Sequence, residues 1–385
     1  MTVIGITGTS GKTSTVHLLY EILKTAGKRV SMISTVHAVI NGEKYDTGFH
    51  VTTPSPWQLQ KFMKKAANGN SEYFILEVTS HGLDQYRVFG ASIDLGVITN
   101  ITHEHFDYHG SLESYREAKA KILQGVEYAV LNSDDKNFSY LKKKVEKKII
   151  SFAINNKADY KPSNFILRPK IPGKFNIYNC LAAASVAQIL KINRKIIEKT
   201  ISEFKGIKGR MELVENNKGF KIIVDFAHKP DALEQVLKTA RTFTERKLIV
   251  MFGCAGLRDR LKRSIMGEIA GKFADYAVLT AEDPRTEDVR SITEEIAQGC
   301  LKAKMFEQTR KNNGKFDNQK KYFWRIPDRQ EAINFIIKKL AQRGDVLLFC
   351  GKGHEQSMCY GYKEYPWDER KAIEKALYGT VKTFA

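Results

Sequence analysis

This 385-residue chain lacks any run of about 18 apolar residues, so no helix in it reads as able to span a bilayer. Cysteine is scarce. Cys180, Cys254, Cys300, Cys350 and Cys359 form no CxxC pair and no even framework, and they read as the reduced, buried thiols of a cytoplasmic protein. The opening MTVIGITGTSGKT lacks the basic segment of a signal peptide and turns glycine-rich at once, as a buried strand entering a loop does. Low-complexity tracts are missing too. With 42% hydrophobic and 10% aromatic residues, wholesale disorder and collagen-like fibres are excluded.

Acidic residues are in deficit: 62 Lys+Arg against 43 Asp+Glu gives a formal net charge of +19. Part of that excess is solvated surface, such as Lys142, Lys143, Lys144, Lys147 and Lys148 in a stretch that reads as helical. Residues 302–321, centred on Asn312, Asn313 and Gly314, read as an exposed excursion between two helices. A basic chain attracts anions, but no basic stripe is interleaved with aromatics and no nucleic-acid motif is present. The expected partners are small anionic molecules, neither nucleic acid nor membrane, and the chain is expected to be monomeric.

At roughly 150 residues per domain the length allows two or three domains. Short apolar runs alternate with helical patterns from end to end. Strands are predicted at 3–7, 29–35, 73–78, 95–100, 128–131 and 148–153, with helices from Lys12 and over 176–190 and 194–204. Continuous apolar runs are the mark of strands buried on both faces, so the fold class is α/β with a mostly parallel, doubly wound sheet. The glycine-rich GIKGRMEL (206–213) breaks the pattern and reads as a hinge. A second α/β domain, Rossmann-like, follows with strands at 220–226, 248–256, 276–280 and 345–350. The domains are placed at 1–209 and 210–385.

The first strand runs into Gly8-Thr9-Ser10-Gly11-Lys12-Thr13-Ser14 and then a helix. Glycines let backbone N–H groups converge on phosphate oxygens, and the helix N-terminus adds partial positive charge. Lys12 would reach the β/γ-phosphates and the Thr13 hydroxyl would ligate Mg²⁺. The usual spacing would need a glycine where Ile6 stands, so the loop is a shortened form.

That shortened loop, with TTP (52–54), EVTSHGLDQYR (77–87), TNITHEHFDYHG (99–110) and GKFNIYNCLAAA (173–184), resembles the central domain of the Mur ligases. GRME (209–212), VDFAHKPDALE (224–234), FGCAGLRDRLKRSIMG (252–267), EDPRTED (282–288) and GKGHE (351–355) resemble the linker and C-terminal motifs of that family. Mur ligases are ATP-dependent amino-acid-adding enzymes of peptidoglycan precursor synthesis. The branch that adds the third residue of the stem peptide is the most similar. The family carries an N-terminal UDP-holding domain, and here only Met1-Thr2-Val3 precede the first strand core. The expectation is therefore that this domain is absent, naturally or by trimming, and that a separate partner recognises UDP.

The resemblance implies ATP-driven activation of a carboxylate as an acyl phosphate, which an amine then attacks, with two Mg²⁺ ions balancing the crowded charge. It assigns catalytic roles to Lys12, Glu77, His105 and Lys119, and metal ligation to Thr13, Glu77, His105 and Lys119. Alone, His105 would read as a hydrogen-bonded structural residue and Lys119 as a surface lysine; the family carries the matching lysine carbamylated. Nucleotide contacts are implied at Asn179, Arg210 and Asp225, the residues-only reading of Asn179 being a helix N-cap. Acceptor contacts are implied at Thr52, Thr53, Thr79, Gln85 and Arg87, and an amino-acid pocket at Arg258, Glu282, Asp283, Arg285, Gly351 and Glu355. Arg285 argues for meso-diaminopimelate, whose distal carboxylate it could bind bidentately. Asp283, standing where the family has asparagine, could favour lysine. Glu355 offers a partner for an ammonium. A different acceptor, such as a pseudomurein-type or poly-glutamyl precursor, and a non-catalytic nucleotide-binding homologue remain as alternatives.

Overall fold

The computed structural model describes residues 1–45, 52–102, 106–309, 317 and 319–379, with the side chains of Phe106 and Asp107 excepted. It divides into two compact units, Met1–Lys205 and Gly206–Ala385.

The first unit is built on eight strands: β1 (Thr2–Thr7), β2 (Val30–Ile33), β3 (Ala38–Ile40), β4 (Glu43–Tyr45), β5 (Tyr73–Glu77), β6 (Leu95–Ile98), β7 (Tyr128–Asn132) and β8 (Lys148–Phe152). Their order is β4-β3-β2-β5-β1-β6-β7-β8. From β2 to β8 all neighbours are parallel, with β1 central between β5 and β6; Ile4 is in register with Ile75 and Leu95. The central strands are apolar on both faces because both faces are covered. On one side lie the helices Lys12–Thr25 and Lys174–Ile189, packed through Val16, Leu19, Leu23, Ala183 and Ala187. On the other, Leu59, Phe74, Leu76, Tyr115 and Leu131 form a second core. The run of small residues Ala182, Ala183 and Ala184, all fully buried, lets these elements approach closely.

The edge departs from the parallel expectation: β2-β3 and β3-β4 pair antiparallel. The turn joining β3 to β4 is Asn41-Gly42, with φ of 53° and 86°, the asparagine–glycine pair that two-residue hairpins require. The lysine run is not one helix either. The helix Phe138–Lys142 ends at the run's first residue, and Lys148 opens β8.

The second unit contains β9 (Glu212–Val214), β10 (Lys221–Asp225), β11 (Leu248–Phe252), β12 (Tyr276–Leu279), β13 (Phe306–Glu307), β14 (Tyr322–Arg325), β15 (Val346–Cys350), β16 (Ser357–Tyr360) and β17 (Lys363–Pro366). Seven form a sheet in the order β13-β14-β12-β11-β15-β10-β9, parallel except for β9 against β10; β16 and β17 make a separate hairpin. The predicted hinge segment thus ends in a sheet strand, β9. Residues 302–321 do not link two helices: they leave the helix Val289–Lys302, pass through β13 and lead into β14, with 310–316 and 318 outside the described residues. The core of this unit collects Ile222, Met251, Val278, Trp324, Ile333 and Phe349. All five cysteines are buried and free. Among the described residues no helix is long and apolar enough to cross a membrane.

Candidate nucleotide and amino-acid sites

In open α/β sheets, ligands bind beyond the carboxyl ends of the parallel strands. In the first unit the loop 8–14 leaves β1 there, between the ends of β5 and β6. Ser10 N–H donates to Asn100 Oδ1 (2.9 Å), Thr9 N–H to the Asn100 carbonyl (2.9 Å), and Thr99 Oγ1 to the Ser10 carbonyl (2.7 Å). Thr9 Oγ1 and Tyr115 Oη lie 3.0 Å apart. The loop is therefore fixed by its neighbours before any ligand arrives.

Gly11 precedes the helix Lys12–Thr25 with φ 82°, and a Cβ there would lie 2.2 Å from Asn179 Oδ1. Only glycine fits. This helix start has no side-chain cap, whereas Ser55, Thr79, Ser111, Asp288, Asp328 and Asp368 each cap the helix that follows them. A helix N-terminus without a side-chain cap suits phosphate oxygens. Asn179 is not an N-cap. It lies inside the helix Lys174–Ile189, buried, with its amide turned to Gly11 and to Asn176 Oδ1 (3.3 Å).

Thr13 Oγ1 donates to Glu77 Oε1 at 3.0 Å, and Glu77, at the end of β5, is 1% exposed. Thr35 donates to the same carboxylate twice, N–H to Oε2 (2.9 Å) and Oγ1 to Oε1 (2.7 Å). A hydroxyl and a carboxylate held together at a phosphate loop are hard-oxygen ligands, and Mg²⁺ takes one or two such groups alongside phosphate and water. The donor set fits a magnesium nucleotide. Thr35 escaped sequence reading because a threonine at a strand end carries no motif of its own. His105 lies outside the described residues.

Lys119 is not a surface residue: it is 1% exposed, its ammonium donates to the Gly8 carbonyl at 2.8 Å, and it lies 4.7 Å from the Tyr115 ring centroid. Lys12 Nζ donates to the same carbonyl at 2.9 Å and to that of Thr9 at 3.1 Å. The residues implied as acceptor contacts are also brought together. Thr35 Oγ1 meets Thr52 Oγ1 (3.1 Å), Thr79 N–H donates to Thr53 Oγ1 (3.0 Å), Arg87 Nη1 to the Thr53 carbonyl (3.1 Å) and Arg87 Nε to Gln85 Oε1 (2.9 Å). A single network thus runs from Thr13 through Glu77 and Thr35 to Thr52, while Thr53, Thr79, Gln85 and Arg87 form a second cluster anchored to the Glu77 carbonyl through Thr53 Oγ1 (3.3 Å).

In the second unit, Asp225 at the end of β10 accepts N–H groups from Met211 (2.7 Å) and Ala227 (2.8 Å). Burial pushes its carboxyl above the ordinary range against the opposing pull of Arg210. The Arg210 guanidinium stacks over Phe226, 4.6 Å from the ring centroid.

The loops after β11, β12 and β15 hold the remaining predicted residues. Arg258 is exposed on the first. On the second, Asp283 and Arg285 adopt positive φ, 45° and 52°. Arg285 does not pair with Asp283 or Glu287. Its Nη1 donates to the Gly256 carbonyl (2.6 Å), while Glu287 is engaged by Arg263 and Asp283 by Lys352. Glu355 meets Lys352 as well, at 2.8 Å. Glu282 is buried beneath Gly351; burial pushes its carboxyl up to about 8, although Lys262, Arg329 and Lys352 pull the other way. Lys352, absent from the predicted set, is fully buried at the centre of this cluster. Its signal was its place within GKGHE, between two glycines.

A glycine-bound phosphate loop with a Thr–Glu oxygen pair on a parallel sheet defines a nucleotide-binding α/β protein of the P-loop class. Residues 6–187 match the family model described as the Mur ligase middle domain, and 209–353 the Mur ligase, glutamate ligase domain. The UDP-N-acetylmuramoyl-L-alanyl-D-glutamate–2,6-diaminopimelate ligase of Bacillus velezensis is 36% identical over 97% of this chain and 78% of its own length. A solved structure of a ligase of the same name is 29% identical, with a TM-score of 0.62, covering 98% of this chain and 78% of that one. A pseudomurein peptide ligase type C from Methanothermus fervidus shares the fold at 21% identity, with a TM-score of 0.67 over 97% of this chain and 78% of its own. The chain belongs to the Mur ligase family, enzymes that form amide bonds at the expense of ATP, with Mg²⁺.

Proposed function

We propose that this ligase adds an amino acid, meso-diaminopimelate ahead of lysine, to the terminal carboxylate of a muramyl-peptide-type precursor through an acyl phosphate. The observation that carries the reading is Glu77, buried and held 3.0 Å from the Thr13 hydroxyl at the foot of the phosphate loop. The relatives whose names specify a diaminopimelate ligase support the choice of substrate. ATP supplies the phosphoryl group that activates the carboxylate, and Mg²⁺ balances its charge.

In this reading residues 1–209 hold most of the ATP and residues 210–385 the amino acid. Gly8, Gly11 and Ser14 line the phosphates with backbone, and Thr9 and Ser10, whose N–H groups are held by Asn100, shape the loop around them. Lys12 leaves its loop carbonyls to reach the transferred group, and Asn179, Arg210 and Asp225 contact the nucleoside. Thr13 and Glu77 hold one magnesium ion, and His105 and a carbamylated Lys119 a second. Carbamylation joins CO₂ to the neutral amine, forms an N–C bond and releases a proton. It turns a buried ammonium, which is costly without full pairing, into a carboxylate suited to metal. Thr52, Thr53, Thr79, Gln85 and Arg87 hold the acceptor. The enzyme acts as a cytoplasmic monomer on small molecules, with a separate partner holding the UDP end.

The test supplies ATP, Mg²⁺, UDP-N-acetylmuramoyl-L-alanyl-D-glutamate and each amino acid, alone and together. ADP and phosphate should form only with both substrates, with a product mass equal to the condensed pair. AMP and pyrophosphate would exclude the acyl-phosphate route. Nucleotide binding with no product from any acceptor would favour the non-catalytic alternative.

A further inference from the structure

We propose that Lys352 is a positioning residue for amino-acid selection, a charge lock that engages Asp283 and Glu355 together and so leaves Arg258 and Arg285 to take a ligand with a distal carboxylate. The inference rests on the reading that this pocket receives the incoming amino acid.

The lock is set by the backbone. Gly351 and Gly353 flank Lys352 with φ of 105° and 51°. A Cβ on the first would lie 2.4 Å from Glu282 Oε2, and one on the second 2.7 Å from Phe226 Cβ. Between them the lysine side chain is driven inward, to zero exposure, with Nζ 2.8 Å from Asp283 Oδ1 and 2.8 Å from Glu355 Oε2. Burial draws the ammonium's pKa down, but the two carboxylates draw it up by more, so it stays charged.

Asp283 is committed twice over. The oxygen that meets Lys352 also accepts Cys359 N–H at 2.9 Å. The same hairpin strand holds the next functional residue: Arg285 N–H donates to the Cys359 carbonyl (3.1 Å), and Gly361 N–H to the Arg285 carbonyl (2.7 Å). Turned to β16 in this way, Asp283 is withdrawn from a ligand, although by sequence alone it is the residue that would favour a diamine. With Lys352 present, Asp283 is compensated by direct contact and turned from the ligand. Without it Asp283 loses its cation and is released to attract a side-chain ammonium.

The test measures kcat/KM for meso-diaminopimelate and for lysine in the wild type, Lys352→Met, Lys352→Met/Asp283→Asn and Asp283→Asn, with thermal unfolding of each. The wild type should prefer diaminopimelate. Lys352→Met should lower the diaminopimelate-to-lysine ratio at least about tenfold, mainly through KM for diaminopimelate. The double variant, which also removes the carboxylate that loses its cation, should return the ratio to within about threefold of wild type. Asp283→Asn keeps an acceptor for Cys359 and leaves Lys352 on Glu355, so its ratio should stay within about threefold of wild type. This arm decides the matter where Lys352→Met does not fold. A purely structural lysine would lower both amino acids equally, and a ligand-facing Asp283 would shift the ratio strongly on conversion to Asn; either result overturns the lock. If the wild type adds diaminopimelate and the variants leave the ratio alone, only the lock falls. If it adds neither amino acid, the proposed function falls and the lock with it.

Discussion

Glu282→Gln tests the electrostatics of the second unit directly. Glu282 is 5% exposed, and its Oε2 has no hydrogen-bond partner among the described residues. Burial therefore dominates the field of Lys262, Arg329 and Lys352, with Glu355 adding to it, and the carboxyl is pushed up to about 8. An unfolded glutamate titrates near 4.3. Between those values the folded chain keeps a proton that the unfolded chain has released, so stability falls as pH rises. The loss begins above about pH 4 and is complete above about pH 8. At about 1.4 kcal/mol per unit the ceiling is about 5 kcal/mol, and structural relaxation should leave about 2–4 kcal/mol. Glutamine has no proton to lose, so the variant should lack this contribution across the window. The assay is urea unfolding at intervals from pH 5 to 9, followed by fluorescence of Trp324, which is 1% exposed in the same unit, beside that of Trp367; Trp57 is 83% exposed and should change little. The advantage of the variant over wild type should grow by those few kcal/mol across the range. A difference independent of pH would show that Glu282 is ionised in the folded chain and would refute the reasoning.

Three other perturbations have defined outcomes. Gly11→Ala, forced to φ 82° with its Cβ 2.2 Å from Asn179 Oδ1, should cost about 1–3 kcal/mol of stability and weaken ATP at least tenfold in a fluorescent-nucleotide titration; unchanged affinity would remove Gly11 from the site. Lys119→Ala should abolish most ligase activity, with partial recovery in a short carboxylic acid, whereas recovery by an alkylamine instead would favour an unmodified ammonium. Arg329 and Glu369 form a buried bidentate pair at 2.9 and 2.6 Å, and Arg329 also holds the carbonyls of Ala281 and Cys350. Arg329→Met should cost about 3–5 kcal/mol by strandng the Glu369 charge, read as a lower unfolding midpoint; a loss below 1 kcal/mol would mean that the pair is solvated in solution.

The order of the elements and the phosphate loop were legible in the sequence because both depend on neighbours along the chain. Alternating apolar runs give strands and helices, and a glycine needed for one backbone angle sits beside the lysine and threonine it serves. The hairpin at Asn41-Gly42 is equally local, although residues 36–45 carry no predicted strand. The edge strands β9 and β13 were not legible, since an edge is defined by what pairs with it. The burial of Lys119 against the Gly8 carbonyl, the turning of Asn179 to Gly11, and the engagement of Asp283 by Lys352 join residues that are far apart in sequence. Sequence alone determined which charged groups the chain carries into its loops. Only the tertiary structure decided which of them meet each other and which face a ligand, because a charge is cancelled by proximity in space, and proximity is set by packing.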